Sequence, residues 1–209
     1  MAKNTRVIAL STYSLKSRFQ ALLVPVRDRL IALNFSANQT TLLTAFLCIV
    51  YAALLVWPPT AMISLILLPI FLFIRMALNA LDGMIASHTH TKSPLGVVLN
   101  EVGDVVSDFC LFGAFVFLLP PPPWPWLALM VLGFMIEFVS LAMFLAIGER
   151  PNSGPFAKSD RALYLGLLSL ILIAFPGSTF LIEIFVGVGV LLALVTLWNR
   201  SKLIAQETC

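Results

Sequence analysis

The sequence predicts an all-α integral membrane protein, in which six transmembrane helices are preceded by an N-terminal amphipathic surface helix. Of its 209 residues, 60% are hydrophobic and only 11% are charged, and the mean hydropathy is +0.99. A soluble domain could not cover so much apolar surface with so few charges. Six apolar runs also follow one another, and basic residues fall in every second connection between them.

The N-terminal arm, residues 1–36, is predicted to be a cytosolic segment that contains the amphipathic helix. Apolar residues recur in it at helical spacing, and basic residues occupy other positions. The apolar positions are Leu15, Phe19, Leu22, Leu23, Val26, Leu30 and Leu33. Pro25 is expected to kink or interrupt this helix. The alternative is a helix that packs on the protein itself and not on the membrane surface.

The six apolar runs are predicted to be spanning helices that together form the domain of residues 37–199. They cover about 40–57, 61–86, 95–119, 125–147, 161–175 and 179–198. Most approach the roughly 20 residues that cross a hydrocarbon core. The fifth run is short, so we expect it to be tilted or to contribute its polar N-terminal end to a site. Residues 200–209 are predicted to be a cytosolic tail.

The distribution of basic residues predicts the orientation. The N-terminal arm, the 87–93 connection, the 148–161 connection and the tail carry every Lys and Arg except Arg75. The positive-inside rule therefore places both termini and these two connections in the cytosol. No basic stripe is interleaved with aromatic residues, so a nucleic-acid partner is not predicted.

The most informative polar residues lie at the end of the second run and at the start of the third. At 100° per residue, each run places a group of them on one helix face. The groups are Arg75, Asn79, Asp82 and Ala86 on the second run, and Gly96, Asn100, Asp104 and Ser107 on the third, with Asp108 at its edge. Ionisable side chains within spans are costly and rare unless they face a cavity or each other. The two faces are therefore predicted to meet at a cavity open to the cytosol and to the lipid.

Carboxylate and amide oxygens are hard ligands, which suit Mg²⁺, Mn²⁺ or Ca²⁺. A divalent ion held by them would neutralise a diphosphate and polarise the bond being broken. Two other interpretations are polar residues that only hold helices together, and a small transporter that uses the carboxylates as a relay. No internal repeat is evident and the polar residues cluster toward the cytosol, which speaks against the transporter.

The spacing of this segment carries a family resemblance. Asp82, Gly83, Ala86, Gly96 and Asp104 match the signature D-x2-D-G-x2-A-R-x8-G-x3-D-x3-D, so the chain resembles the CDP-alcohol phosphotransferases. Asn79 and Asn100 stand where the family usually has metal-binding Asp, and Ser87 stands where it has Arg. The combination of NALDG, LNE-x-GD and GPF-x-KSDRA is similar to a bacterial branch in which the two Asn are part of the pattern.

The resemblance implies a membrane enzyme that transfers a phosphatidyl group from CDP-diacylglycerol to an alcohol and releases CMP. It also implies one or two Mg²⁺ or Mn²⁺ ions, a homodimer among membrane lipids, and an active site on the cytosolic face of the bacterial inner membrane. The identity of the alcohol cannot be read from the sequence. A non-catalytic member that binds lipid or nucleotide is the alternative.

The resemblance also assigns roles to residues. Asp82 and Asp104 are expected to be catalytic and to hold metal, and Asp104 to accept the proton of the alcohol. The expected further metal ligands are Asn79, Asn100, Glu101 and Asp108, of which Glu101 and Asp108 are also fallback bases. The expected nucleotide- or phosphate-binding residues are Gly83, Ala86, Gly96, Lys92, Lys158 and Arg161.

Arg75 is the one basic residue in the interior of an apolar run. Counting about 1.5 Å of rise per residue places it near the bilayer midplane, at a depth comparable to Glu137 in the fourth run and Asp108 in the third. A lone charge at this depth would be costly. We predict a structural ion pair of Arg75 with Glu137, with Asp108 as the alternative or shared partner.

Overall fold

The computed structural model describes residues 12–148 and 154–207, which form seven α-helices and no strands. The helices are α1 (Thr12–Ala32), α2 (Ala37–Val56), α3 (Pro58–His88), α4 (Pro94–Leu118), α5 (Trp124–Ile147), α6 (Lys158–Ala174) and α7 (Thr179–Glu207). The predicted all-α class is confirmed. Residues 1–11 of the predicted arm, 149–153 of the second basic connection and 208–209 of the predicted tail lie outside the described residues.

Helix α1 continues through Pro25, so the predicted interruption does not occur. The helix packs against α3, where the rings of Phe19 and Phe73 meet edge to face at 5.6 Å. Leu22 and Leu33, two of the predicted apolar positions, are exposed. The helix thus contacts the protein along one side, as the alternative interpretation expects, and its amphipathic character stays a prediction.

Four of the six following helices are long and apolar enough to cross a membrane. These are Ala37–Val56, Pro58–His88, Trp124–Phe144 and Thr179–Lys202. Helix α4 is long enough but carries three carboxylates, and α6 has only 17 residues. Since only four helices of the described part of the chain qualify, the count of six spans stays a prediction.

Side-chain caps fix where the helices near the site begin. Ser36 and Gln39 form a reciprocal capping box at the start of α2, with hydrogen bonds of 3.2 Å and 2.8 Å. Ser93 accepts the backbone N–H of Gly96 at 3.1 Å, and Pro94 occupies the first position of α4. These caps satisfy N–H groups that a helix leaves unpaired.

Helix α2 packs against both α3 and α4, α3 packs against α6, and α7 packs against α5 and α6. An apolar core fills the space between them. Trp126 lies within it, stacks on Phe112 at 5.2 Å and donates its indole N–H to the Phe112 carbonyl at 2.8 Å. The buried polar residues of α2, α3, α4 and α6 include Thr41, Arg75, Asp82, Asp104, Asp108 and Arg161.

Helix α7 runs past residue 200 without a break. Arg200 is 2% exposed and donates to the Ile136 carbonyl at 3.1 Å and to the Ser140 hydroxyl. The segment predicted as a cytosolic tail therefore begins inside a helix, and its first residue is packed against α5.

Candidate active site

Two carboxylates on α4, one helical turn apart, are each contacted from α3 on one side and from α6 on the other. Asn79 of α3 and Lys158 of α6 contact Asp104, and this set is called the Asp104 layer. The second set lies one turn further along α4 and is called the Asp108 layer. It consists of Asp108, Arg75, Arg161 and Glu137. The predicted meeting of the polar faces of the second and third runs is thus present.

Both oxygens of Asp104 have a donor beside them. The Asn79 amide Nδ2 donates to Oδ1 at 2.8 Å, and the Lys158 ammonium contacts Oδ2. Arg75 Nη2 lies 3.9 Å from Oδ1. Asp104 is 8% exposed, so its charge is matched within the protein and not by bulk water.

In the Asp108 layer, two guanidinium groups share one carboxylate. Arg75 Nη2 lies 2.7 Å from Oδ1 of Asp108, and Arg161 approaches Oδ2 with Nη2 at 2.7 Å and Nε at 2.8 Å. Arg161 Nη2 also donates to Glu137 at 2.8 Å. The prediction that Arg75 pairs with Glu137 is therefore corrected: Arg75 pairs with Asp108, the alternative partner, because Arg161 of α6 lies between α3 and Glu137 of α5.

This arrangement bears on the role of Asp108. A carboxylate held by two guanidinium groups has few lone pairs left for another ligand. The geometry therefore does not favour Asp108 as a metal ligand or as the fallback base. It favours a structural role for Asp108, together with Arg161, which the sequence pattern had suggested as a phosphate-binding residue.

Asp82 is held by a residue that the sequence analysis did not include in the site. The hydroxyl of Thr41 on α2 donates to Asp82 Oδ2 at 2.9 Å, and both residues are buried. Helix α2 lies close to Gly103 of α4 at this level. A Cβ at Gly103 would lie 3.4 Å from the Thr41 methyl group.

Lys158 is the first residue of α6, and the segment before it is anchored to α7. The backbone N–H of Phe156 donates to Thr196 Oγ1 at 2.9 Å. Gly154 has φ +131°, and a Cβ there would lie 2.5 Å from the Thr196 methyl group. The Asp160 carboxylate, in the first turn of α6, accepts the backbone N–H of Ala157, the residue just before the helix, at 3.0 Å. These contacts fix the position from which Lys158 reaches Asp104.

A cleft of about 780 Å³ lies between α1 and α3. Its lining includes Asn79 and Gly83, and Ser87 stands at the position where the family signature has Arg. Among the described residues, a Cβ at Gly83 would meet no atom within 4 Å outside the backbone of its own helix. Asn79 both lines this cleft and donates to Asp104, so its side chain lies between the cleft and the Asp104 layer.

The remaining predicted residues lie around these two layers at varied distances from them. Asn100 and Glu101 are half-buried in α4, in the turn before Asp104. Ala86 is half-buried near the end of α3, and a Cβ at Gly96 would lie 3.0 Å from the side chain of Asn38. Lys92 is exposed in the connection between α3 and α4, and the structure does not bring it into the site.

The side chains expected to bind metal do not form a site for a divalent ion in this arrangement. Such an ion needs several oxygen ligands that converge on one point. Within 12–148 and 154–207, no group of three or more His, Cys, Asp or Glu side chains converges in this way. Asn79 directs its NH₂ group at Asp104, an ammonium contacts the other oxygen, and Asp82 accepts the Thr41 hydroxyl.

Comparison with known proteins agrees with the fold and the signature. Residues 34–198 match the family model described as CDP-alcohol phosphatidyltransferase. Inner membrane protein YnbA of Escherichia coli (strain K12) is 37% identical over 193 residues, which cover 92% of this chain and 96% of that protein. The crystal structure of Mycobacterium tuberculosis phosphatidylinositol phosphate synthase (PgsA1) with CDP-DAG bound has a similar fold. Its TM-score is 0.60 at 19% identity, over 85% of this chain and 89% of that one.

The resemblance that the spacing suggested is confirmed by these matches, which extend over most of the chain. Apolar helices long enough to cross a membrane accompany them. This integral membrane protein belongs to the CDP-alcohol phosphatidyltransferase family.

Proposed function

We propose that the protein is a phosphotransferase of phospholipid synthesis, which transfers a phosphatidyl group from CDP-diacylglycerol to an alcohol. The oxygen of the alcohol forms a bond to the lipid-proximal phosphorus. The bond from that phosphorus to the oxygen of CMP breaks, CMP leaves with the electron pair, and the proton of the alcohol passes to a carboxylate. Family membership supports the reaction class. The related fold that was crystallised with CDP-DAG supports this donor.

The observation that carries the proposal is the position of Asn79, which lines the cleft and donates to Asp104. The volume of the cleft, about 780 Å³, is in the range of small-molecule sites. Met84 and Phe19 contribute apolar lining, while Asn79 and Ser87 contribute polar groups. A donor with a lipid tail and a nucleotide head needs a site with both kinds of wall.

Asp104 is the proposed acceptor of the alcohol proton. It is the carboxylate that Asn79 connects to the cleft. Asp104 accepts one hydrogen bond, from Asn79 at Oδ1, and contacts Lys158 at Oδ2, so its orientation is fixed before a substrate binds while lone pairs remain for a proton. Glu101, half-buried in the preceding turn, is the alternative base. Lys158, whose side chain is 35% exposed, is the proposed contact for the diphosphate charge.

The proposal includes the membrane arrangement. Helices α2–α7 are proposed to span the bacterial inner membrane, with both termini and the site on the cytosolic side. The basis is the positive-inside rule, since Lys92, Lys158 and Arg161 lie in or next to the connections that carry basic residues. The protein is proposed to act as a homodimer among membrane lipids. CDP-diacylglycerol would then reach the cleft between α1 and α3 from the cytosolic leaflet.

The test is an assay with purified protein in nanodiscs, CDP-diacylglycerol labelled in the cytidine, and a panel of alcohols. The alcohols include glycerol 3-phosphate, inositol phosphate, serine and glycerol, and each is tested with Mg²⁺, with Mn²⁺ and with EDTA. We expect CMP release that depends on one class of alcohol, and a matching phosphatidyl product. Saturable binding of CDP-diacylglycerol without CMP release for any alcohol would replace this proposal with a non-catalytic binding function.

A further inference from the structure

We infer that the ammonium of Lys158 is the resident cation of this site and stands where the family signature would place a divalent ion. Two consequences follow. The protein binds Mn²⁺ or Mg²⁺ at this site only weakly while Lys158 is present, and its reaction does not require either ion. The second consequence rests on the proposed function, whereas the first can be measured whether or not the protein is an enzyme.

The charge of the four signature positions is the first argument. Four Asp would carry four negative charges, enough to balance two divalent ions. Here two of the positions are Asn79 and Asn100, so only Asp82 and Asp104 contribute charge. The Lys158 ammonium then supplies one positive charge in contact with Asp104, and it also interacts electrostatically with Asp82. A further dication would be repelled by this ammonium at short range.

The orientation of the Asn79 amide toward Asp104 is the second argument. A side-chain amide binds a metal through its carbonyl oxygen and not through its nitrogen. The Nδ2 atom of Asn79 lies 2.8 Å from Asp104 Oδ1, so this amide acts as a donor to the carboxylate. The positive charge of Lys158 lies against the other oxygen of Asp104. The same carboxylate would have to lose these partners before it could bind an ion.

The rigid support of Lys158 is the third argument. The preceding segment is held against Thr196 of α7, and Asp160 caps the first turn of α6. The ammonium is thus delivered to one place, although the side chain remains 35% exposed. A fixed but accessible point charge can meet an incoming diphosphate, which a fully buried structural ion pair could not do.

Metal binding is tested first, by the loss of the free Mn²⁺ signal in electron paramagnetic resonance on the detergent-solubilised protein. The variants are Lys158→Met and, as a control with the same charge change, Lys202→Met at an exposed position of α7. We expect the wild-type protein and Lys202→Met to bind Mn²⁺ equally weakly. Lys158→Met should bind it at least about tenfold more tightly, because a unit positive charge beside the ligands is gone.

A second comparison keeps this test decisive if Lys158→Met unfolds. Lys158→Gln retains a polar side chain, and the pair Asn79→Asp with Asn100→Asp restores the two missing carboxylates without touching Lys158. Both variants should bind Mn²⁺ more tightly than the wild-type protein. Stoichiometric, tight Mn²⁺ binding by the wild-type protein, with no gain in any of these variants, would overturn the inference.

The catalytic consequence is tested by CMP release in EDTA. We expect the wild-type protein to retain most of its CMP release in EDTA. The rate of Lys158→Met should fall more than about tenfold in EDTA and should recover with added Mn²⁺. Lys158→Arg should retain a measurable part of the wild-type rate in EDTA. Loss of wild-type activity in EDTA with full recovery in Mg²⁺ would overturn this consequence. Absence of CMP release under every condition would count against the proposed function and leave the Mn²⁺ comparison intact.

Discussion

Arg75 of α3 lies 2.7 Å from Asp108 of α4, and Arg161 of α6 contacts the other oxygen of the same carboxylate. With Glu137 of α5, the Asp108 layer contains two positive and two negative side chains. Each of these charges is held by an opposite one, as low-polarity surroundings require. The layer therefore joins four helices directly below the Asp104 layer.

The first prediction concerns the partner of Arg75. Arg75→Met should destabilise the protein by about 3–5 kcal/mol, because it leaves a buried carboxylate with less positive charge. Adding Asp108→Asn should recover a large part of the loss, since Arg161 keeps Glu137 as its partner. Adding Glu137→Gln should recover less than Asp108→Asn, because Asp108 keeps its charge and still lacks the Arg75 guanidinium. Thermal unfolding in detergent measures all three, and better recovery with Glu137→Gln than with Asp108→Asn would contradict the assignment.

The sequence predicts that Arg75 is paired, but not with which residue. Counting residues gives the depth of a side chain in a span, and Asp108 and Glu137 lie at similar depths. The choice depends on which helices are neighbours and how each is rotated. Arg161 pairs with Glu137, and Arg75 pairs with Asp108. From its place at the start of the short fifth run, Arg161 had been expected to bind phosphate on the cytosolic side.

The helices follow from periodicity and composition, as the match between the run at 61–86 and α3 (Pro58–His88) illustrates. The facing of Asn79 and Asp104 was predicted because both lie on polar faces of successive runs. One further pattern in the sequence could have predicted the site. Lys158 and Arg161 are three residues apart on α6, and they contact Asp104 and Asp108, which are four residues apart on α4. Such spacings on two helices favour two adjacent ion pairs.

Thr41 was missed for a physical reason. A threonine in an apolar helix commonly donates to a carbonyl one turn earlier, and Thr41 does lie 3.2 Å from the Ala37 carbonyl. Its contact with Asp82 depends on the approach of α2 to α3 and α4, which no local pattern encodes.

The second prediction tests Thr41. Thr41→Val removes the hydroxyl that donates to Asp82 and should lower CMP release about tenfold, because a hydrogen bond to a charged group contributes about 1.5–3 kcal/mol. Thr44→Val is the matched control, since the buried Thr44 hydroxyl donates to the Thr40 carbonyl within α2. Equal losses in the two variants would show that the effect comes from α2 and not from Asp82.

The third prediction tests Asp104. Asp104→Asn keeps the size of the side chain but removes its charge and its ability to accept a proton, so CMP release should fall by about 10²–10⁴-fold. The melting temperature should change much less than in Arg75→Met. Glu183→Gln, an exposed carboxylate near the start of α7, serves as the control and should leave both quantities unchanged. Turnover retained in Asp104→Asn would transfer the role of base to Glu101.

The last prediction concerns Gly154, which precedes α6. Its φ of +131° disfavours any side chain, and a Cβ would also lie 2.5 Å from the Thr196 methyl group. Gly154→Ala should therefore push the segment away from α7 and displace Lys158 from Asp104. We expect a loss of about 1–3 kcal/mol in stability, together with a lower rate of CMP release.

Two comparisons separate this effect from backbone strain alone. Gly177, with φ +84°, lies in the turn between α6 and α7. A Cβ there would have no neighbour within 4 Å among the described residues. Gly177→Ala should therefore lower the melting temperature without changing CMP release. Thr196→Ser removes the methyl group, the nearest of the Thr196 atoms that the new Cβ would meet, and keeps the hydroxyl that accepts the Phe156 N–H. Combined with Gly154→Ala, it should restore part of the activity, because the segment can return toward α7 and carry Lys158 back to Asp104. If the double variant is no more active than Gly154→Ala, the contact with Thr196 does not set the position of Lys158.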